Sequence, residues 1–433
     1  MQKRIGYLLL LVAGTAGAAS EPDPSFGTSG VTRYGFDAVG GDRNDRAAVA
    51  CPGPRGSLFA VGTASGDRRI VSVWLTDAGQ LDTSFSDDGK QSFDLPAAYP
   101  DAYAETGLCG SDGKVTVVFE SVDANDEGRV TLLRVDPADG LPDASFGSGG
   151  RVDVDLDDYA PRLGHIESIA SVSPGRDGDV IVTGWHDRPD SSESGFVVRV
   201  TATGTVAAVA FADAFDATSH HFVAAMPAPD GSLWVAGSTS GSPRTGRVFR
   251  LDYATLAWLS TPVPMLPAGF EPLRGRALDA GSFALGGRVD DVIPAVALVT
   301  AAGASTLPLP TVPSAQRVVD VQLAPLSNGT FVVAADVVDA SNVRFGFYFA
   351  GVRRAGGAFA PEPTFGNEGT RLVPPGFPSG CSLATFDLGR LTVWRDRPLW
   401  FGTAQICDQG GQHNDYLFLR LTRSDLIFRG GFQ

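Results

Sequence analysis

Asp23-Pro24-Ser25-Phe26-Gly27, Asp82-Thr83-Ser84-Phe85-Ser86 and Asp143-Ala144-Ser145-Phe146-Gly147 are three copies of one short phrase, and Glu362-Pro363-Thr364-Phe365-Gly366 is a worn fourth. Phe26, Phe85 and Phe146 stand 59 and 61 residues apart, and Phe365 follows after a further 219, four intervals of about 55. A unit near sixty residues therefore runs along the chain, and such a period decides architecture before any local reading does.

Between the phrases the same order of segments recurs. In the second unit residues 103–109 read as an inner strand, Asp112-Gly113 as a turn, 114–119 as a second strand, 129–135 as a third and 151–156 as a fourth. Alternating β-branched and polar residues bounded by Gly and Asp are the pattern of half-buried antiparallel strands. The turn that opens the second strand can be followed where the Phe phrase has decayed: Gly56, Gly113, Gly178, Gly231, Gly281 and Gly329, with a degenerate copy at Arg395-Asp396-Arg397-Pro398. Glycine suits this turn because it enters positive φ without a Cβ penalty. Seven units follow.

Seven sequential four-stranded antiparallel units with no helical period between them predict an all-β, seven-bladed β-propeller. The blades are expected at residues 39–95, 96–156, 157–213, 214–264, 265–310, 311–374 and 375–433. The chain reaches its end soon after the seventh third strand, while residues 31–37 form a spare strand ahead of the first inner strand, 46–51. That strand is expected to complete blade seven and close the ring, which removes two free sheet edges. The third strands share an arginine, in Leu133-Arg134-Val135, Val198-Arg199-Val200, Phe249-Arg250-Leu251 and Leu419-Arg420-Leu421. Its expected role is a guanidinium paired within or between blades rather than catalysis.

The phrases, their spacing, and the Asp112-Gly113-Lys114-Val115 and Leu132-Leu133-Arg134-Val135-Asp136 segments between them resemble the delta-60 repeat family of bacterial β-propeller-like proteins. The resemblance is strong over residues 21–150, faint from 150 to 355, and returns near 362. It implies a propeller in an exported bacterial protein and carries no catalytic residues to transfer.

Lys3-Arg4, an apolar run from Ile5 to Ala13 and the small residues Ala16-Gly17-Ala18 have the form of a signal peptide, 1–18, with an A-x-A cleavage site. No later stretch approaches the roughly 20 apolar residues of a membrane helix, so one secreted or periplasmic domain, 19–433, is expected. Of 34 basic residues the signal takes Lys3 and Arg4, leaving 32 against 49 acidic, a formal charge of −17. Such a surface repels phosphate backbones and anionic lipid, which argues against nucleic acid as a partner. A protein or glycan ligand is the expectation, and the chain is expected to be monomeric.

Four cysteines, Cys51, Cys109, Cys381 and Cys407, in an exported chain point to disulfides. Cys381 and Cys407 flank the first two strands of blade seven and are expected to pair, closing a loop of about 25 residues worth roughly 3 kcal/mol in a chain-entropy model. Cys51 and Cys109 end the inner strands of adjacent blades. Their pairing is possible and requires the Cα atoms to approach within about 7 Å.

Candidate chemistry is sparse. His165, His186, His220, His221 and His413 fall in or beside the loops of one propeller face. The first four, with Asp157, Asp158 and Asp187, form a possible ligand or divalent-metal patch. Asp123, Asn125 and Glu127 resemble half of a calcium loop, but Arg134 stands where its bidentate Glu belongs. No other cofactor is expected. The sequence contains no G-x-S-x-G elbow, and Asn328-Gly329-Thr330 reads as a turn rather than a glycosylation site. A non-catalytic binding scaffold is the leading function; an extracellular hydrolase or lyase using carboxylates or His in the central funnel is the alternative.

Overall fold

The computed structural model describes residues 22–36, 45–64, 69–95, 101–122, 128–159, 167–188, 192–214, 219–239, 244–259, 265–279, 281–312, 315–340, 344–365, 369–373, 386–408 and 411–422. The signal segment, the calcium-like turn 123–127, His165 and Cys381 lie outside these residues.

Seven antiparallel sheets succeed one another. Blade one pairs Arg46–Pro52, Leu58–Ala64, Arg69–Leu75 and Lys90–Asp94 in order. Blade two has Asp101–Cys109, Val115–Val122, Gly128–Asp136 and Arg151–Val154, and blade three Glu167–Pro174, Val180–Asp187, Glu193–Val200 and Val206–Phe211. In blade four His220–Pro227, Ser232–Thr239 and Thr245–Asp252 form the sheet, and Trp258 bridges Leu251 where a fourth strand would begin. Blade five comprises Phe270–Asp279, Ser282–Val289, Ile293–Thr300 and Gly303–Pro308. Blade six comprises Arg317–Pro325, Thr330–Val338, Arg344–Ala355 and Ala358–Pro361, with Thr370–Val373 also on its third strand. Blade seven takes Phe386–Trp394, Arg397–Asp408 and Gly411–Arg420 from the end of the chain and Val31–Tyr34 from its beginning. Val31 lies opposite Leu419 and Tyr34 opposite Tyr416, so the ring is closed by the N-terminal strand.

Hydrophobic burial holds the ring in seven places. Each interface between neighbouring blades has its own cluster: Phe59 and Trp74 of blade one meet Val117 and Phe119 of blade two, and Phe401 and Phe418 of blade seven meet Ala60 and Val71 of blade one. Every fully buried Phe, Leu or Val contributes about 1.5–3 kcal/mol. One blade exposes these faces on both sides, so only the closed ring buries them all.

The turns behave as the sequence predicts. Gly56, Gly113, Gly178, Gly231 and Gly329 have φ between +78° and +90°. In the degenerate copy Arg395 and Asp396 take φ of +51° and +59°, the same left-handed turn built without glycine. At the fifth turn the Asp279 carboxylate instead accepts the Gly281 N–H at 2.9 Å. Asn328 accepts the Thr330 N–H at 3.0 Å, which makes that triplet a turn.

The repeat phrase is a joint between blades. In Asp143-Ala144-Ser145-Phe146 the Asp143 carboxylate accepts the Ser145 N–H at 3.1 Å and its hydroxyl at 2.8 Å. Phe146 is buried beneath the Arg134 guanidinium, 4.6 Å away. Arg134 donates to Asp143 at 2.8 Å and to the Ala202 carbonyl of blade three at 2.6 Å. The first phrase does the same for blade seven: Arg420 lies over Phe26 at 4.6 Å, donates to Asp23 at 2.9 Å and reaches Asp77 of blade one at 2.8 Å. Burial alone would raise the Asp23 pKa, but Ser25, Arg420 and Arg397 hold it below the usual carboxylate range.

Cys51 and Cys109 are bonded, with Cα atoms 5.6 Å apart, linking the inner strands of blades one and two. The Cys381–Cys407 pairing falls partly outside the described residues.

Arg420 is fully buried and Asp23 nearly so. Removing one partner of a buried pair leaves an uncompensated charge, so Arg420→Met is expected to cost about 3 kcal/mol in urea denaturation. A cost near zero would show that the joint does not hold the ring.

Candidate functional site

Each inner strand is bulged. Its pairing with the second strand skips Ala48, Glu105, Ala170, Val223, Leu273 and Val319 in blades one to six, and Leu388 with Gly389 in blade seven. A bulge bends its strand and re-aims the side chains beside it. In blades one and three the second strand approaches so closely there that only glycine fits: a Cβ on Gly62 would lie 1.9 Å from the Arg46 carbonyl oxygen, and one on Gly184 2.0 Å from that of Ser168.

Inner strands of neighbouring blades pack on one another around the axis. The bulges place a set of long polar side chains at the centre. A cavity of about 150 Å³ is lined by Thr106, Ala170, Arg274, Arg276, Gln322 and Arg390, among others, from five different blades. Side chains span it. Arg274 donates to the Ala170 carbonyl of blade three at 2.5 Å and to Asp320 of blade six at 3.1 Å. Arg390 donates to the Glu105 carbonyl of blade two at 2.6 Å. Gln322 accepts the Leu391 N–H at 2.8 Å and donates to Asp320 at 2.8 Å.

The channel is rich in positive charge. Arg46 pairs with Glu105 at 2.9 Å, and Asp320 serves Arg274 while standing 3.7 Å from Arg390. Arg276 donates to the Leu323 carbonyl at 3.1 Å and makes no ion pair among the described residues. Burial, then the neighbouring Arg274, pushes Arg390 down to about 10, while Asp320 and Glu105 oppose the shift; it remains cationic at neutral pH. Burial lowers Arg276 as well. Near this cluster, burial and the charge of Glu105 push Glu120 up to about 7, against the pull of Arg46. None of these residues was singled out by the sequence reading, although second-strand glycines stand beside the bulge in blades one, three, four, five and seven.

Of the five histidines, His186, His220 and His221 have described side chains, and the three lie at one end of blades three and four. His186 closes a second strand, and His220 and His221 open the next inner strand. All three are buried. His186 packs edge-on against Phe211 and bonds the Asp187 carbonyl at 3.2 Å. His220 packs against Phe222 and Phe249. His221 stacks on Trp185 at 4.5 Å between Glu193 and Arg244, whose Nη1 is 2.9 Å from Nδ1. Burial lowers the pKa of His186 and His221, favouring neutral imidazoles. Asp157 and Asp158 face solvent on a short turn, Leu156–Asp158. Among the described residues no three His, Cys, Asp or Glu side chains converge to hold a metal. No helix among them is long and apolar enough to cross a membrane.

No family model matches this chain, and no curated protein matches it. Several solved structures are similar to it at low identity. Prolyl oligopeptidase B from Galerina marginata is similar over 84% of this chain and 48% of its own, at 11% identity and TM-score 0.47. The chain thus spans about half the length of that enzyme. The Hadza microbial sialidase Hz136 is similar over 84% of this chain and 73% of its own, at 10% identity and TM-score 0.45. A Dyadobacter fermentans protein of unknown function covers 90% of this chain and 99% of its own, at 12% identity and TM-score 0.41. These likenesses concern the fold alone. The chain is a seven-bladed β-propeller with an arginine-lined axial channel.

Two outcomes are expected from this geometry. Gly184→Ala should destabilise the fold by several kcal/mol, about 2 or more, because the added methyl meets backbone and not a mobile side chain; a thermal melt within a degree of wild type would refute the close approach. Glu120 binds its proton more tightly folded than unfolded, so its charge costs stability above pH 4.5 and up through about 7. Glu120→Gln should therefore stabilise by on the order of 1 kcal/mol at pH 8, allowing for solvent screening, and the gain should vanish below about pH 4.5 in urea titrations.

Proposed function

We propose that this protein is an exported, non-catalytic binding propeller of the delta-60 repeat type, engaging a protein or glycan ligand on the face around its axial channel. The observation that supports this most is the chemistry of the channel wall. Guanidinium, amide and hydroxyl groups from five blades converge on one cavity, and among the lining residues there is no nucleophile beside a base. Tyr103, near the start of the inner strand of blade two, and Tyr159, in the loop entering blade three, are exposed rings at one end of these blades. Aromatic faces with hydrogen-bond donors suit carbohydrate or peptide recognition. The Cys51–Cys109 disulfide is compatible with an oxidising compartment.

One observation favours the second reading, an extracellular hydrolase or lyase. Glu120, held at about 7 with Glu105 as its main charged neighbour, has the protonation of a general acid near neutral pH.

A thermal-shift screen of glycans, sugar acids and peptides, run beside chromogenic glycoside and ester assays, separates the two. Binding without turnover, lost on replacing channel arginines, is the expected result. Turnover that disappears in Glu120→Gln would replace the binding reading with the enzymatic one.

A further inference from the structure

The two least satisfied cations of the channel face the same space. Arg390 is nine-tenths buried, yet its Nε and Nη1 make no hydrogen bond among the described residues; Asp320 stands 3.7 Å from Nη1, beyond hydrogen-bond reach. Buried donors are ordinarily satisfied, and a buried guanidinium with unmet donors is costly unless an acceptor completes it. Arg276 lines the same cavity, with a single carbonyl as its partner and part of its side chain open to solvent. The third cation, Arg274, is already committed to Asp320 and the Ala170 carbonyl, and the same carboxylate serves Gln322. Arg46 is committed to Glu105. Four guanidiniums, Arg46, Arg274, Arg276 and Arg390, stand against two carboxylates, Glu105 and the shared Asp320, an excess of two positive charges inside a protein whose formal charge is −15.

We propose that the axial channel is an oxyanion site, in which Arg390 and Arg276 together hold the carboxylate or phosphate group of a small ligand. The inference rests on the channel being the ligand site and adds the class of group it takes. Guanidinium groups match such oxyanions with paired, charge-assisted hydrogen bonds. The cavity of about 150 Å³ sets the size: an apolar cavity of that volume admits benzene, so about six non-hydrogen atoms fit inside. That holds the carboxylate of a sugar acid with its nearest carbon atoms, or a phosphate, and leaves the rest of a larger ligand outside the cavity. A bulk negative surface does not oppose this, because a narrow low-dielectric channel focuses the field of its own walls.

The test uses the full-length protein in calorimetry and thermal shift at fixed ionic strength, with glucuronate, inorganic phosphate and neutral glucose as probes. Glucuronate or phosphate is expected to bind saturably, glucose not to bind, and whichever anion binds more tightly identifies the carboxylate or the phosphate as the preferred group. Arg276→Gln, on the open side of the channel and tolerable to the fold, should weaken anion binding at least tenfold. Arg390→Met should abolish it, with circular dichroism confirming that the variant folds. Glucose binding that is equally sensitive to Arg276→Gln would overturn the oxyanion assignment while leaving the channel as the ligand site. Anion binding unchanged in Arg276→Gln would overturn it by placing the anion elsewhere. A ligand from the wider screen that ignores both substitutions would overturn the channel reading itself.

Discussion

The closure of the ring rests on one buried guanidinium. Arg420, at the end of the last described strand, is held by Asp23 and Ser25 from the beginning of the chain and by Asp77 of the next blade, with Phe26 beneath it. A charge this deep is tolerable only with its partners in place. They are supplied only if the N-terminal strand lies beside Gly411–Arg420. Satisfying the arginine and closing the ring are thus the same event, and closure is what gives the interface between blades seven and one its second side.

The same joint recurs with variations that follow the decay of the repeat. In blade two Arg134 uses Asp143 of the phrase. Blade three has lost the phrase, and Arg199 takes Asp179 from its second-strand turn at 2.7 Å and the Ala254 carbonyl of blade four at 2.8 Å. Tyr253 lies beneath Arg199 and Arg176, and its hydroxyl donates to Asp179 at 3.0 Å. An aromatic ring under a guanidinium and a carboxylate beside it are retained while the residues supplying them change. The contact geometry, rather than the phrase, is the repeated element.

A closed ring forces its inner strands together, and the bulges are how they fit. They also give the molecule its chemistry. Side chains beside the bulges are turned to the axis, where Arg274, Arg390 and Gln322 reach groups on other blades. An acidic protein thereby acquires a cationic centre.

Much of the fold was legible in particular residues. The Phe phrase set the period, the turn glycines counted the blades, and residues 31–37, stranded before the first blade, identified the closing strand, which is Val31–Tyr34. The third-strand arginines were readable as structural because each lies between apolar neighbours at the same place in its blade. The fourth blade shows three strands among the described residues, with Trp258 bridging Leu251 where the fourth would start. The burial of His186, His220 and His221 was not legible: loop position is visible in sequence, but burial depends on neighbours, and Phe211, Trp185 and Phe249 enclose these rings. The Cys51–Cys109 bond needed the distance between two inner strands 58 residues apart in sequence.

The sequence alone determined what is local or periodic: the strands, their turns, the number of units and the circular order in which they pack. Period and turn chemistry act over a few residues, so they can be read without a structure. Only the tertiary structure decided the channel, because Thr106, Ala170, Arg274, Gln322 and Arg390 come from five blades, and their shared place beside the bulges does not reveal that their side chains meet. Their meeting is a consequence of ring closure, and the charge they gather belongs to the ring rather than to any repeat.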